Sequence, residues 1–443
     1  MPRFRHGPDR QALDARKPPG RSWSAWAVPE FRRLLTGQVL STLGSQMQTV
    51  AVAWQLWSMT HDPMVMGGLG LARALPILLL APFGGLTADA SDRRALMLRT
   101  QSLMALVALA FLVLTWTGRL TVPILLGLVA LHAVAVAFDN PARGALVPSL
   151  VPRERLAHAL SLSVTGWQLA AVAGPFAGGL LLAGGSGAVL LHGLDALSYG
   201  AILLALFGLP AASPLRNTAP PTSAWAAWHE GWTFILRDKL LWTTMLVDFA
   251  STFFGASMVL MPAFADQVLH GGSRELGLLM AAPPLGAALA AAILSMAPPL
   301  QREGPVFLGM IAAYGAAWIA FGQSRSLPAA LACLVVAGAA DSVSTVIRAH
   351  LRQTRTPDAL RGRVTSVGMM FYIGGPQLGE AEAGALASLV GPAKAVSLGG
   401  VLILGLAATA TWGLPELRRH RAQRTDIRTA PAGSSVVAEG RKA

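Results

Sequence analysis

Gly174-Pro175-Phe176-Ala177-Gly178 is echoed 201 residues later by Gly375-Pro376-Gln377-Leu378-Gly379. Asp139 is echoed by Asp341 at nearly the same offset, 202 residues. Between the members of each pair lies PAASPLRNTAPPTSA, Pro210 to Ala224, rich in proline, threonine and serine and without apolar periodicity. Such a stretch reads as a linker. Two agreeing offsets across one linker point to an internally duplicated chain with a path between its halves.

The flanking sequence says what is duplicated. Of 443 residues, 53% are hydrophobic and 13% charged, and the mean hydropathy is +0.52. That leaves too little polar surface to coat a soluble body of this size. A membrane-crossing helix needs ~20 apolar residues. Twelve apolar stretches satisfy this, near 31–58, 64–88, 95–117, 121–147, 160–184, 188–209, 240–267, 275–297, 305–323, 327–348, 363–389 and 393–415. The expected fold is an all-α polytopic membrane protein of twelve transmembrane helices in two six-helix bundles, 31–209 and 240–415. A basic arm (1–30), a linker with an interfacial helix (210–239) and a basic tail (416–443) complete it. In the interfacial helix Trp225, Trp228, Trp232, Ile235 and Leu236 recur at helical spacing before Arg237 and Lys239, as in a structural anchor lying in the headgroup plane.

Charge orients the bundle. The arm lacks an apolar h-region, so it is no cleaved signal peptide. With the N-terminus inside, only Arg119, Arg274, Arg325 and Lys394 fall outside and Arg73 within a span, leaving 30 of the 35 basic residues inside. Both termini are then expected to be cytoplasmic. The net charge of +13 faces anionic lipid and calls for no nucleic-acid partner. Trp54, Trp57, Trp116, Trp242 and Trp412 fall near span ends, where indoles sit at the lipid interface. None of the four lysines follows a glycine, so no Walker A loop holds a nucleotide. Cys333, the single cysteine, allows no internal disulfide. No metal site or cofactor is expected, His132 and His192 being isolated in apolar spans.

The loop after the second stretch, Gly85-Leu86-Thr87-Ala88-Asp89-Ala90-Ser91-Asp92-Arg93-Arg94, compresses acids and arginines between long apolar helices. It suits either a breakable latch or a loop that simply holds cations inside. It resembles the signature between helices two and three of the major facilitator superfamily, through Gly85, Asp89, Arg93 and Arg94. By that resemblance Asp89 and Arg93 belong to a gating charge relay, and Arg94 beside them is a further gating candidate. Ala170 to Gly179 resembles the fifth-helix antiporter signature of the same superfamily, with Gly174, Pro175, Gly178 and Gly179 in place. The resemblance implies export, although helix packing alone also uses such glycines. Asp139-Asn140-Pro141-Ala142-Arg143 with Val151-Pro152, Thr356 to Val364, Pro262 to Asp266 and Pro284 to Ala288 resemble the drug:proton antiporter-3 branch, which includes bacterial enterobactin exporters.

Ionisable groups inside a bilayer ask for a partner, a water cavity or a transported charge. Asp139 and Arg143, four apart, can meet on one helix face as a gate or as a permanent pair. Asp341 and Glu380 are the candidates for proton coupling. Arg73 either attracts an anionic substrate or pairs with a protein carboxylate. Gln46, Phe254, Met258 and Tyr372 are further substrate-binding candidates, suited to an amphiphilic ligand. The expectation is a secondary transporter exporting a siderophore or drug-like small molecule by alternating access, energised by the proton motive force. Its other partner is the lipid bilayer, and a monomer is the working expectation. An importer of the same fold, a membrane sensor and a polytopic enzyme are the alternatives. Ala196-Leu197-Ser198-Tyr199-Gly200 lacks the first glycine and the elbow of a serine hydrolase.

Overall fold

The computed structural model describes residues 24–209, 224–298, 300–357 and 360–420. The basic arm to residue 23, the linker 210–223 and the tail from 421 lie outside the described residues, as does the side chain of Asp89. The described elements are all helices, with no strand among the described residues. Six long helices come first: α1 (Pro29–Thr60), α2 (Pro63–Ala90), α3 (Arg93–Trp116), α4 (Val122–Leu150), α5 (Arg153–Leu181) and α6 (Gly187–Phe207). The shorter α7 (Ala224–Arg237) follows. Next come α8 (Lys239–Phe254), α9 (Ser273–Met296), α10 (Glu303–Gln323), α11 (Leu327–Arg355), α12 (Arg361–Val390) and α13 (Pro392–Gly413). A short α14 (Pro415–Arg419) ends the described chain. Ten of these segments are long and apolar enough to cross a membrane; α1 and α12 have the length but stand outside that ten. Helices are the form a lipid environment selects, because each satisfies its own backbone polar groups.

Local chemistry sets the helix starts. Pro29 and Pro63 occupy first turns, where a missing N–H costs nothing. Asp62, Asp92 and Asp238 accept backbone N–H bonds at the heads of α2, α3 and α8. Three helices outrun their apolar stretches by three residues or more: α4 reaches Leu150, α5 begins at Arg153 and α11 reaches Arg355. Hydropathy marks where lipid would end, whereas backbone hydrogen bonding carries the helix on into water. The seventh apolar stretch is not one helix. After α8 the chain breaks at Gly255 and Ala256, takes a 3-10 turn (Ser257–Leu260) and finishes in a π turn (Phe264–Val268).

α1 to α6 pack mainly among themselves, as do α8 to α13. The sets are joined chiefly by α2 against α12 and α5 against α9. Since α1 to α6 and α8 to α13 each run back and forth an even number of times, both chain ends emerge on one side, called here the termini end. At the opposite, far end the helices touch backbone to backbone. A Cβ on Gly384 of α12 would sit 2.5 Å from Gly67 Cα of α2, and one on Gly179 of α5 would sit 2.6 Å from Gly277 Cα of α9. Trp57 was expected at the lipid interface, but it is 1% exposed and its Nε1 donates to Asp266 Oδ2 at 3.0 Å across the seam. Trp116 and Trp412 are exposed, at 75% and 81%.

Candidate functional site: a cleft open at one end

Every described hydrogen bond and ion pair between the two sets lies at the far end or near mid-depth. Besides Trp57 to Asp266 these are Arg73 Nη1 to Glu380 Oε2 at 3.9 Å and Gln168 Nε2 to Pro284 O at 2.5 Å. Towards the termini end the same helices expose large apolar groups: Phe83 on α2, Val164 and Trp167 on α5, Ile293 on α9 and Tyr372 on α12. The described hydrogen bonds and ion pairs between the halves therefore lie at the far end and mid-depth, and none joins them at the termini end.

Two cavities occupy matching places in the halves. One of about 220 Å³ lies between α1, α4 and α5, lined by Gln38, Thr42, Arg143 and Trp167 among others. The other, of about 260 Å³, lies between α8, α11 and α12, lined by Asp248, Arg348, Arg352, Phe371 and Tyr372 among others. The repeated aspartates stand beside both. Asp139, fully buried, binds Arg143 at 2.5 Å and accepts from Thr100 Oγ1 at 2.8 Å and Gln101 Nε2 at 2.9 Å. Removing one partner of such a buried pair costs about 3–5 kcal/mol. Asp341 lies 3.8 Å from Arg348 Nη2, and Arg348 also pairs with Asp248 of α8.

The residues around the loop after α2 are fixed by backbone. Arg93 is 6% exposed and its Nη1 donates to the backbone carbonyl of Ala145 on α4 at 3.1 Å. Arg94 donates to Leu206 O and Phe207 O, neutralising the last carbonyls of α6. Gly174 and Gly178 admit α1: a Cβ on the first would meet Gln46 Cβ at 2.4 Å and one on the second Met47 Cα at 3.2 Å. Pro175 lies inside α5, buried against the α9 contact.

Among the remaining candidates, Arg73 and Glu380 occupy each other across the α2–α12 seam. Gln46 is held between α1 and α5. Phe254 and Met258 pack, partly buried, against the apolar core at the break after α8, and Tyr372 is 59% exposed beside the second cavity. His132 meets Tyr199 Oη at 3.2 Å, and His192 meets Gln55 Oε1 at 2.7 Å and stacks on Phe111.

Asp195 counts among the ionisable groups inside the spans but receives no role from the sequence, and Arg348 and Arg352 are not singled out by it at all. Asp195 of α6 is fully buried, accepts from Ser45 Oγ at 3.2 Å and has one carboxylate oxygen without a partner. Its signal was the spacing of His192, Asp195 and Tyr199, which puts them on one face of α6. Arg348 ends the apolar stretch 327–348 and Arg352 lies beyond it, and the extension of α11 to Arg355 brings both into a cavity wall.

Comparison with known proteins locates this arrangement. A match to the transmembrane secretion effector family spans residues 21–439. The chain is 29% identical over 399 residues to the enterobactin exporter EntS of Shigella boydii serotype 4 (strain Sb227), covering 89% of this chain and 94% of the relative. The enterobactin exporter EntS of Escherichia coli O6:K15:H31 (strain 536 / UPEC) shows the same figures. In fold the chain is similar to a bacterial homologue of the human lysosomal transporter Spinster in an inward-facing, unoccupied conformation, with TM-score 0.66, 15% identity and coverage of 89% of this chain and 99% of that one. It is also similar to a POT family transporter in complex with 5-aminolevulinic acid, with TM-score 0.69, 12% identity and coverage of 87% and 96%.

Proposed function

The chain belongs to the transmembrane secretion effector family of the major facilitator superfamily, and on that premise we propose that it exports a siderophore or drug-like amphiphilic molecule across the bacterial cytoplasmic membrane by proton antiport. It is a transporter and not an enzyme. The observation that carries the reading is one-sided contact between the halves: glycine pairs bring them together at the far end while the two cavities lie in the termini half. The basic residues concentrated at the termini end support a cytoplasmic position for that end. The structure is then the loading state, and export follows when the seam parts and the termini ends close.

The candidate gate is Asp139 with Arg143, steadied by Arg93 and Arg94, together with Asp89, and Gly174, Pro175, Gly178 and Gly179 form the surfaces on which α5 rocks against α1 and α9. Asp341 and Glu380 are the proton-coupling carboxylates. Each faces an arginine, so a proton can replace that partner: at Glu380 it would release Arg73 and loosen the α2–α12 seam, and at Asp341 it would free Arg348 for Asp248 alone. Exposing the cleft to each aqueous side in turn lets these exchanges follow the pH of that side.

Inverted membrane vesicles, with the cytoplasmic face outward, test direction and coupling together. A siderophore substrate is expected to accumulate in an acidified lumen and to stop accumulating when a protonophore collapses the gradient. Accumulation indifferent to the gradient contradicts antiport, and gradient-driven loss from the lumen contradicts export.

A further inference from the structure

The cavity between α8, α11 and α12 holds a guanidinium that no carboxylate among the described residues contacts. Arg348 is shared by Asp248 and Asp341. Arg352, one turn further along α11, lines the same cavity, is half-buried, and has no hydrogen-bond or ion-pair partner among the described residues. Room for it is made by Gly368 of α12, where a Cβ would lie 3.1 Å from Arg352 Nη1. A half-buried guanidinium without a counter-ion favours an anion from outside, through charge-assisted, often bidentate hydrogen bonds.

The wall beside it is aromatic and held in place. Phe371 stacks on Trp232 of α7 at 5.8 Å and meets the edges of Trp242 and Phe249 at 6.0 and 5.8 Å. Tyr372 stands next to it on the rim. A ring entering here finds a fixed aromatic face and an arginine within one small space. Size sets the limit: about 260 Å³ falls short of the ~300–1,000 Å³ that enclose a drug-sized molecule, so the cavity takes one group of a larger ligand that extends into the cleft.

We infer that this cavity is a subsite for an acidic aromatic end group of the transported molecule, a ring bearing a carboxylate or a similar anionic oxygen, with Arg352 binding the anion and Phe371 the ring. The inference rests on the exporter reading for its biological role but not for its binding chemistry. The helix α7 gains a purpose beyond anchoring, since its Trp232 backs the ring wall.

The test is equilibrium binding of benzoate, benzyl alcohol and inorganic phosphate to the full-length protein in nanodiscs of neutral lipid. Benzoate is expected to bind saturably and the other two at least ~10-fold more weakly, the scale of one lost charged hydrogen bond. Arg352→Gln should weaken benzoate by a similar factor and Arg352→Lys by less. Gly368→Ala, which keeps the charge but crowds the guanidinium, should weaken it too and covers the case in which Arg352→Gln does not fold. Benzoate binding unchanged in folded Arg352→Gln or in Gly368→Ala overturns the proposal. So does phosphate binding as tight as benzoate, which makes the site one for any anion, or loss of benzoate binding in nanodiscs containing phosphatidylglycerol, which makes it a lipid-headgroup site. Arg352-dependent benzoate binding without vesicle transport would defeat the exporter reading and leave the subsite standing. Vesicle export with benzoate binding insensitive to Arg352 would do the reverse.

Discussion

Trp57 and Asp266 bring the two halves together through one hydrogen bond, 209 residues apart in sequence. An indole N–H on a carboxylate contributes about 1.5–3 kcal/mol when shielded from water, and this one can exist only while the far end is closed. Trp57→Phe keeps the ring and removes the donor, so it should raise the far-end-open population about tenfold or more. The readout is far-side labelling of a cysteine placed at Ala381, a seam residue beside Gly67; an unchanged labelling rate would show that the bond does not hold the seam. The sequence made Asp139 and Arg143 legible because a separation of four is local helix geometry. Arg73 with Glu380 and Trp57 with Asp266 were not legible. Apolar periodicity tells which residues a helix buries, but it does not tell which other helix they meet.

At the scale of elements, the seam is built from glycines that allow backbones to touch. Gly384→Ala would drive a Cβ to about the 2.5 Å now separating it from Gly67 Cα, and overpacking of this kind costs ~1–3 kcal/mol. The strain falls on the far-end-closed state, so transport should drop several-fold in vesicles while the protein still folds. Gly405→Ala, with nothing within 4 Å of its added Cβ, is the matched control and should leave transport unchanged. Equal rates for both variants would show that the α2–α12 approach does not limit the cycle. Helix existence was legible from apolar runs alone, and the Gly-Pro repeat drew attention to α5 and α12, two of the four helices at the seam. The break after α8 was hidden, because Gly255 and Ala256 sit within an unbroken apolar stretch and hydropathy does not register a change from α to 3-10 and π hydrogen bonding.

For the whole molecule, composition was decisive. A chain this apolar has to place its surface against lipid, and the all-helical transporter fold follows from backbone groups that lipid cannot satisfy. Composition does not say which end of the cleft is open, since that depends on small differences between two packings of the same helices. The central claim is that these halves exchange one opening for the other. Spin labels at Met64 and Leu389, exposed on α2 and α12 at the far end, and at Leu160 and Met296, exposed on α5 and α9 at the termini end, report both openings without disturbing the seam. Pulsed electron-electron distances should show a second population on adding substrate with an inward-directed proton supply, in which the Met64–Leu389 distance lengthens as the Leu160–Met296 distance shortens. Two distances that stay fixed, or that lengthen together, would contradict alternating access by this chain.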